Sequence, residues 1–194
     1  MFGSRNCNFD IEVKEVTSEE ASIALKRILE TLDCSWECSE PLYSPRFDNE
    51  QIAWNHRYND TRKILRFLKN NTGSSSNRSN ELNKNIFLIA YFRGVPIGAS
   101  LLCRERNDSL KVRFLATHQG IRGCGALLIE SAVNKSKQMG MEGKLELAPL
   151  KRAEGAYMNM GFIGNGEYMV LRPNESSEQW MWNEEKQCYK YKLK

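Results

Sequence analysis

The chain has 194 residues, enough to bury one sizeable core without requiring a second domain. Apolar residues make up 41% and charged residues 27%, the proportions of an ordinary soluble globular protein. With no apolar run of about 18 residues and no apolar stretch behind Met1-Phe2-Gly3-Ser4-Arg5-Asn6, the expectation is a soluble cytoplasmic protein with no membrane partner, a secreted effector staying open as the alternative.

Charge is unevenly spread. Residues 1–50 hold five Lys/Arg against eleven Asp/Glu, a balance of −6, whereas residues 51–194 hold 23 against 13, a balance of +10. The basic part suits a ligand carrying several phosphates. The six cysteines, at positions 7, 34, 38, 103, 124 and 188, lack the paired spacing of a zinc site, and His56 adds no obvious fourth ligand to Cys34 and Cys38. They read as free thiols, with no metal.

Phe9 to Val16 alternates apolar and polar side chains, the mark of a strand with one buried face. Thr17-Ser18-Glu19-Glu20 is a capping box that predicts a helix to about Asp33, with Ile23, Leu25, Ile28, Leu29 and Leu32 as its apolar stripe. Cys34 to Phe47, with Pro41 and Pro45, reads as loop. Asp48 to Asn70 reads as a second helix that offers Ile52, Tyr58, Ile64, Leu65 and Leu68 to the core. The polar stretch over about 71–84 is a flexible loop within one fold.

Ile86 to Phe92 and Ile97 to Arg104 then form a hairpin-like pair about Gly94-Val95-Pro96, and a strand follows from Leu110 to Thr117. A helix runs from Ala126 to Met139 and stops at Gly140. Lys144 to Leu147 is a short strand, Pro149 starts a short helix that carries Tyr157, and the last strands are Tyr168 to Leu171 and Cys188 to Leu193. The order β-α-α-β-β-β-α-β-α-β-β predicts an α/β (α+β) fold over a single domain, 1–194, with a mixed sheet of about six to seven strands and about four helices.

Between the strand ending at Thr117 and the next helix lies Gly120-Ile121-Arg122-Gly123-Cys124-Gly125. A glycine turn there leaves backbone N–H groups converging on one spot with the helix dipole behind them, which is a phosphate site. The spacing matches neither a dinucleotide loop nor a nucleoside-triphosphatase loop, which need Gly-x-Gly-x-x-Gly or a final Gly-Lys-Ser/Thr. It resembles the acyl-CoA loop Gln/Arg-x-x-Gly-x-Gly/Ala of the GCN5-related N-acetyltransferase (GNAT) superfamily. Gly120 stands at the Gln/Arg position, with Gln119 before it and Arg122 after it as substitute side-chain contacts.

A second stretch, Ala153-x-x-Ala156-Tyr157-x-x-x-Gly161-Phe162, resembles the superfamily's Ala-x-x-Phe-Tyr-x-x-x-Gly-Phe. Here Leu150 replaces a frequent asparagine and Ala156 a phenylalanine. The resemblance spans about 86–173 and implies the GNAT fold, acetyl-CoA as cosubstrate and transfer of its acetyl group to an amine. It implies that Tyr157 protonates the departing thiolate. It also implies cosubstrate contacts from Leu115, Thr117, Gln119, Gly120, Arg122, Gly123, Cys124, Gly125 and Ala126. Cys124, at a helix N-terminus, is in a position that stabilises a thiolate.

The attacking amine must lose a proton, and Glu146 and His118 are the candidate bases. The acceptor, a small molecule or a protein, is expected beside Trp36, Glu37, Glu40, Tyr43, Trp54, Trp180 and Trp182, with a cationic amine suggested by the acids among aromatics. A monomer or homodimer is expected. Two other readings stay open: a GNAT-shaped CoA-binding or regulatory module without turnover, and a nucleic-acid partner drawn by the basic helix His56 to Lys69 and the tail Lys186 to Lys194, including acetylation of a nucleic-acid-linked amine.

Overall fold

The structure, a computed structural model, describes residues 10–37, 49–72, 85–105 and 108–192. The chain opens with strand β1, Ile11–Val16, and helix α1, Ser18–Thr31. The capping box forms as the sequence predicts: the Glu20 N–H donates to Thr17 Oγ1 at 3.2 Å and the Thr17 N–H to Glu20 Oε2 at 2.8 Å. A turn of 3-10 helix at Cys34–Trp36 precedes helix α2, Asn49–Asn71. Phe9 of the expected first strand, the loop residues Cys38, Glu40 and Tyr43, and all of the expected flexible loop after Thr72 lie outside the described residues.

Strands β2, Ile86–Phe92, and β3, Val95–Cys103, meet in a two-residue turn. Arg93 and Gly94 both take positive φ, 49° and 81°, the left-handed pair whose twist matches that of the flanking strands. Strand β4, Leu110–Thr117, has the bounds the alternation predicts. Helix α3, Cys124–Gln138, strand β5, Leu145–Leu147, and helix α4, Glu154–Asn159, follow. A hairpin of β6, Ile163–Asn165, and β7, Tyr168–Leu171, completes the main sheet. Strands β8, Trp180–Asn183, and β9, Cys188–Tyr191, form a separate pair.

The seven-stranded sheet runs β1-β2-β3-β4-β5-β7-β6, antiparallel except where β4 meets β5 in parallel. Both faces are covered, so β2 reads as a continuous apolar run. Ile86, Leu88 and Ala90 face α3, where Leu128, Ile129, Ala132 and Val133 are buried. Phe87 and Ile89 face α1 and α2, against Leu25, Ile28, Leu65 and Leu68. Among the described residues no helix is long and apolar enough to cross a membrane.

Three expectations are corrected. Ile23 is 59% exposed, because the buried stripe of α1 is Ala21, Ala24, Leu25, Ile28 and Leu32, and a residue two positions after Ala21 lies about 200° round the helix. Ile52 is 41% exposed for a similar reason, since α2 turns Tyr58, Leu65 and Leu68 inward. The expected strand order gains two members: β7 pairs with the three-residue β6, and β9 pairs with β8.

That outer hairpin is fastened to α3 by side chains one helical turn apart. Asn134 donates from Nδ2 to the Tyr189 carbonyl at 3.0 Å and accepts the Tyr189 N–H at 2.7 Å. Glu130 accepts the Tyr191 N–H at 2.8 Å and pairs with Lys190 at 2.6 Å. Two side chains thus take the place of a neighbouring strand along the open edge of β9.

Candidate functional site

Two features of strand β4 shape the site. Phe114 opposes Leu101 and Val112 opposes Leu102, so Arg113 is an extra residue, a β-bulge that bends the strand. Pairing with β5 covers only Leu110, Lys111 and Val112; β5 ends at Leu147, while β4 runs on to Thr117. Ala148-Pro149 carries the chain away, and a gap opens between the two strands.

The backbone groups facing that gap follow from strand alternation. His118 donates its N–H to the Ile97 carbonyl of β3 at 2.6 Å, and the Phe114 carbonyl accepts from Ser100 of β3 at 3.0 Å. Residues 114, 116 and 118 therefore turn their main-chain groups toward β3, and Leu115 and Thr117 turn theirs to the unpaired side.

The glycine loop follows directly. Gly123 sits at the head of α3 with φ 84°, where no side chain caps the helix. The Ala126 and Leu127 N–H groups bond back to the Gly123 carbonyl at 3.1 and 3.3 Å. Among the described residues the N–H groups of Arg122, Gly123, Cys124 and Gly125 have no partner, and Arg122 is exposed. Four main-chain donors at a helix N-terminus, continuous with two more along β4, make a track that suits an extended anionic ligand. Ala126, expected among the ligand contacts, donates its amide inside the first helical turn.

Cys124 does not have the reactive setting that a helix N-terminus could give it. Its thiol is buried, with a Cβ built on Gly98 lying 2.8 Å from its sulfur, and burial pushes its pKa up to about 12. The helix dipole is outweighed by desolvation.

His118, the other candidate base, is buried. Its Nδ1 accepts the Gly120 N–H at 3.2 Å, and the ring also bonds to the Thr31 backbone. Burial pushes its pKa down, against the Thr31 bond that raises it, so the ring is neutral and both of its polar sides are in use. Gln119 does not reach over the loop but donates from Nε2 to the Trp36 carbonyl at 3.3 Å.

Glu146 pairs with Lys111 in the β4–β5 register and accepts from Ser109 Oγ at 3.0 Å. It lies six residues before Thr117 along β4, about 20 Å of strand, at the closed end of the gap rather than beside Leu115 and Thr117. From there it would reach an amine at the open end only through intervening water.

Tyr157 lies on α4, edge to face with Phe162 at 5.5 Å, and burial raises its pKa above the ordinary phenol value. Its hydroxyl has no hydrogen-bond partner among the described residues and stays protonated through neutral pH.

Of the expected acceptor residues, Trp36 and Trp54 come together, stacked at 6.3 Å, with Trp54 Nε1 donating to the Trp36 carbonyl at 2.7 Å. Glu37 is exposed nearby. Trp180 is corrected outright: it is 2% exposed and donates from Nε1 to the Met160 carbonyl, inside the core. Trp182 belongs to the same outer hairpin, against Tyr189. The sequence reading did not foresee the contact between Trp36 and Gly120, which joins residues 84 positions apart.

No protein-family profile matches the sequence, and no curated protein sequence matches it. Solved structures do match in shape. A Desulfovibrio desulfuricans protein assigned to the GNAT acetyltransferase family superposes with a TM-score of 0.52 at 10% identity, covering 84% of this chain and 98% of its own. The PaiA N-acetyltransferase of Thermoplasma acidophilum, solved with coenzyme A, matches at a TM-score of 0.47 and 17% identity over 82% of this chain and 96% of its own. An N-acetyltransferase from Staphylococcus aureus Mu50 matches at 0.47 and 18% over 84% and 97%. The Desulfovibrio match, together with the strand order and the bulge in β4, establishes that the chain has the GNAT fold.

Proposed function

We propose that the chain is an N-acetyltransferase that moves the acetyl group of acetyl-CoA to a primary amine of a protein or small molecule. The observation that carries the reading is the continuous line of unpartnered main-chain donors, from Leu115 and Thr117 beside the gap to Arg122 through Gly125 at the head of α3. A pyrophosphate fits the helix end, and an extended amide-bearing arm fits the strand edge, where it takes the place of the missing β5 partner.

The thioester supplies an acetyl carbon already activated for attack. The amine nitrogen bonds to that carbon and gives up a proton to solvent water, the carbon–sulfur bond breaks, and the departing sulfur takes a proton from the Tyr157 hydroxyl, which regains one from solvent. The chain contributes position and charge: N–H groups along β4 meet the negative charge that builds on the thioester oxygen, and alignment in the gap replaces a random encounter. Tyr157 is the proton donor to sulfur, a role its protonated hydroxyl suits. Arg122, exposed at the loop, adds a mobile positive charge for the phosphates.

The test is turnover: purified protein with acetyl-CoA and a panel of small amines, polyamines, peptides with free N-termini and lysine peptides, read by release of free CoA thiol. Amine-dependent thiol release is expected. Thioester binding with no release across the panel would leave a CoA-binding module instead, a reading that the replacements at Gly120, Leu150 and Ala156 favour.

A further inference from the structure

The first residue of the glycine loop is covered by the segment that follows α1. A Cβ built on Gly120 would lie 2.7 Å from Cη2 and 2.9 Å from Cζ3 of Trp36, closer than any real side chain tolerates. The indole therefore occupies the space that a side chain at position 120 would fill, and only glycine admits it there.

The contact is one of a set. The His118 ring meets the Trp36 ring edge-on at 4.6 Å, and the same imidazole accepts the Gly120 N–H at 3.2 Å. The Trp36 carbonyl accepts from both Gln119 Nε2 and Trp54 Nε1, at 3.3 and 2.7 Å. Trp54 on α2 stacks on Trp36 with ring centroids 6.3 Å apart. Gln119 Oε1 is buried without a hydrogen-bond partner, so this side chain is held by its Trp36 bond and not by a polar pocket. The turn at 118–121, with Ile121 N–H on the His118 carbonyl at 3.1 Å, is thus clamped from outside by one indole.

We infer that Trp36 is the residue that positions the glycine loop for its ligand, doing from a distant segment what a side chain at position 120 would do from within. This rests on the acetyl-CoA reading above. Its consequence is that the segment after α1 and the helix-end donors are set together: ordering one orders the other, and an acceptor bound beside Trp36 and Trp54 is linked to occupancy of the loop. Trp36 does not touch the reacting atoms; it acts through Gly120 and His118.

The experiment is a double-mutant cycle on Trp36→Ala and Gly120→Ala, with Trp36→Phe as the conservative replacement. Each protein is titrated with acetyl-CoA by calorimetry, and amide hydrogen exchange of the free protein is followed at Gly120 and Ile121. Trp36→Ala should weaken acetyl-CoA binding about tenfold and speed exchange at both amides, while Trp36→Phe keeps most of the affinity. Gly120→Ala should weaken binding in the wild type, where its methyl meets the indole, and have little added effect once Trp36 is alanine. In the turnover assay the change should fall on the KM for acetyl-CoA, not on kcat.

Gly120→Ala sits in an exposed loop and tests the same contact should Trp36→Ala fail to fold. Equal affinity and exchange in wild type and Trp36→Ala, or strictly additive effects of the two changes, would overturn the positioning role while leaving the acetyl-CoA reading intact. A wild-type protein that takes up no acetyl-CoA would overturn both.

Discussion

The Phe162 N–H closes on the Tyr157 carbonyl at 3.1 Å while the two rings meet edge to face, 5.5 Å apart. With the Gly161 N–H on the Met158 carbonyl at 2.9 Å, these bonds form a Schellman cap that ends α4 and fixes where the Tyr157 ring stands. Gly161 takes φ 91°, and a Cβ there would come 3.1 Å from that of Ser176. Gly161→Ala should destabilise the fold by about 1–2 kcal/mol, measured by urea denaturation, and should lower kcat more than it raises the KM for acetyl-CoA, because the cap holds the proton donor and not the phosphate loop.

Tyr157→Phe removes the proton donor without changing the packing against Phe162. The expected result is a loss in kcat of about 100-fold with the acetyl-CoA Kd unchanged. Because burial raises the Tyr157 pKa, the protonated, active form persists past the ordinary tyrosine value of about 10, and the alkaline fall in the wild-type rate lies above it. The variant should lack that fall; a pH–rate profile checks both points.

Asn134 bonds both main-chain groups of Tyr189 in the outer hairpin. Asn134→Ala leaves both without that partner and should cost about 1–3 kcal/mol in equilibrium denaturation. Asn134→Asp keeps an acceptor for the Tyr189 N–H but faces the Tyr189 carbonyl with negative charge, and should be no better than alanine.

Burial pushes the Cys124 thiol up to about 12 and that of Cys103 up to about 11. At pH 8 both are overwhelmingly protonated as well as buried. Peptide mapping after brief treatment of the native protein with a thiol alkylator should find Cys188, which is partly exposed, modified ahead of both, and all three modified after denaturation.

What the sequence disclosed was what local rules govern. The bounds of β4 follow from alternation between two turn signals, and the start of α1 from the Thr17–Glu20 box. The cap at Gly161 follows from a glycine placed four residues after Tyr157. Ile23 and Ile52 were misplaced because an apolar side chain does not announce which way its helix is turned when alanines share the buried stripe. The short strand β6, Ile-Gly-Asn, carries no alternation, so the partner of β7 was invisible. The Trp36–Gly120 contact had no local signal at all, since a glycine in a turn explains itself without a distant ring.

Calorimetric titration of the wild-type protein and of Gly123→Glu with acetyl-CoA tests the central claim most directly. Gly123 holds the left-handed turn at the head of α3, and a carboxylate there strains the backbone and repels phosphate. The wild type should bind one acetyl-CoA per chain with micromolar affinity, and Gly123→Glu should show no binding while keeping a native circular dichroism spectrum. No heat and no thermal protection of the wild type at millimolar acetyl-CoA, or equal binding by the two proteins, would contradict the assignment of the loop and of the transferase with it.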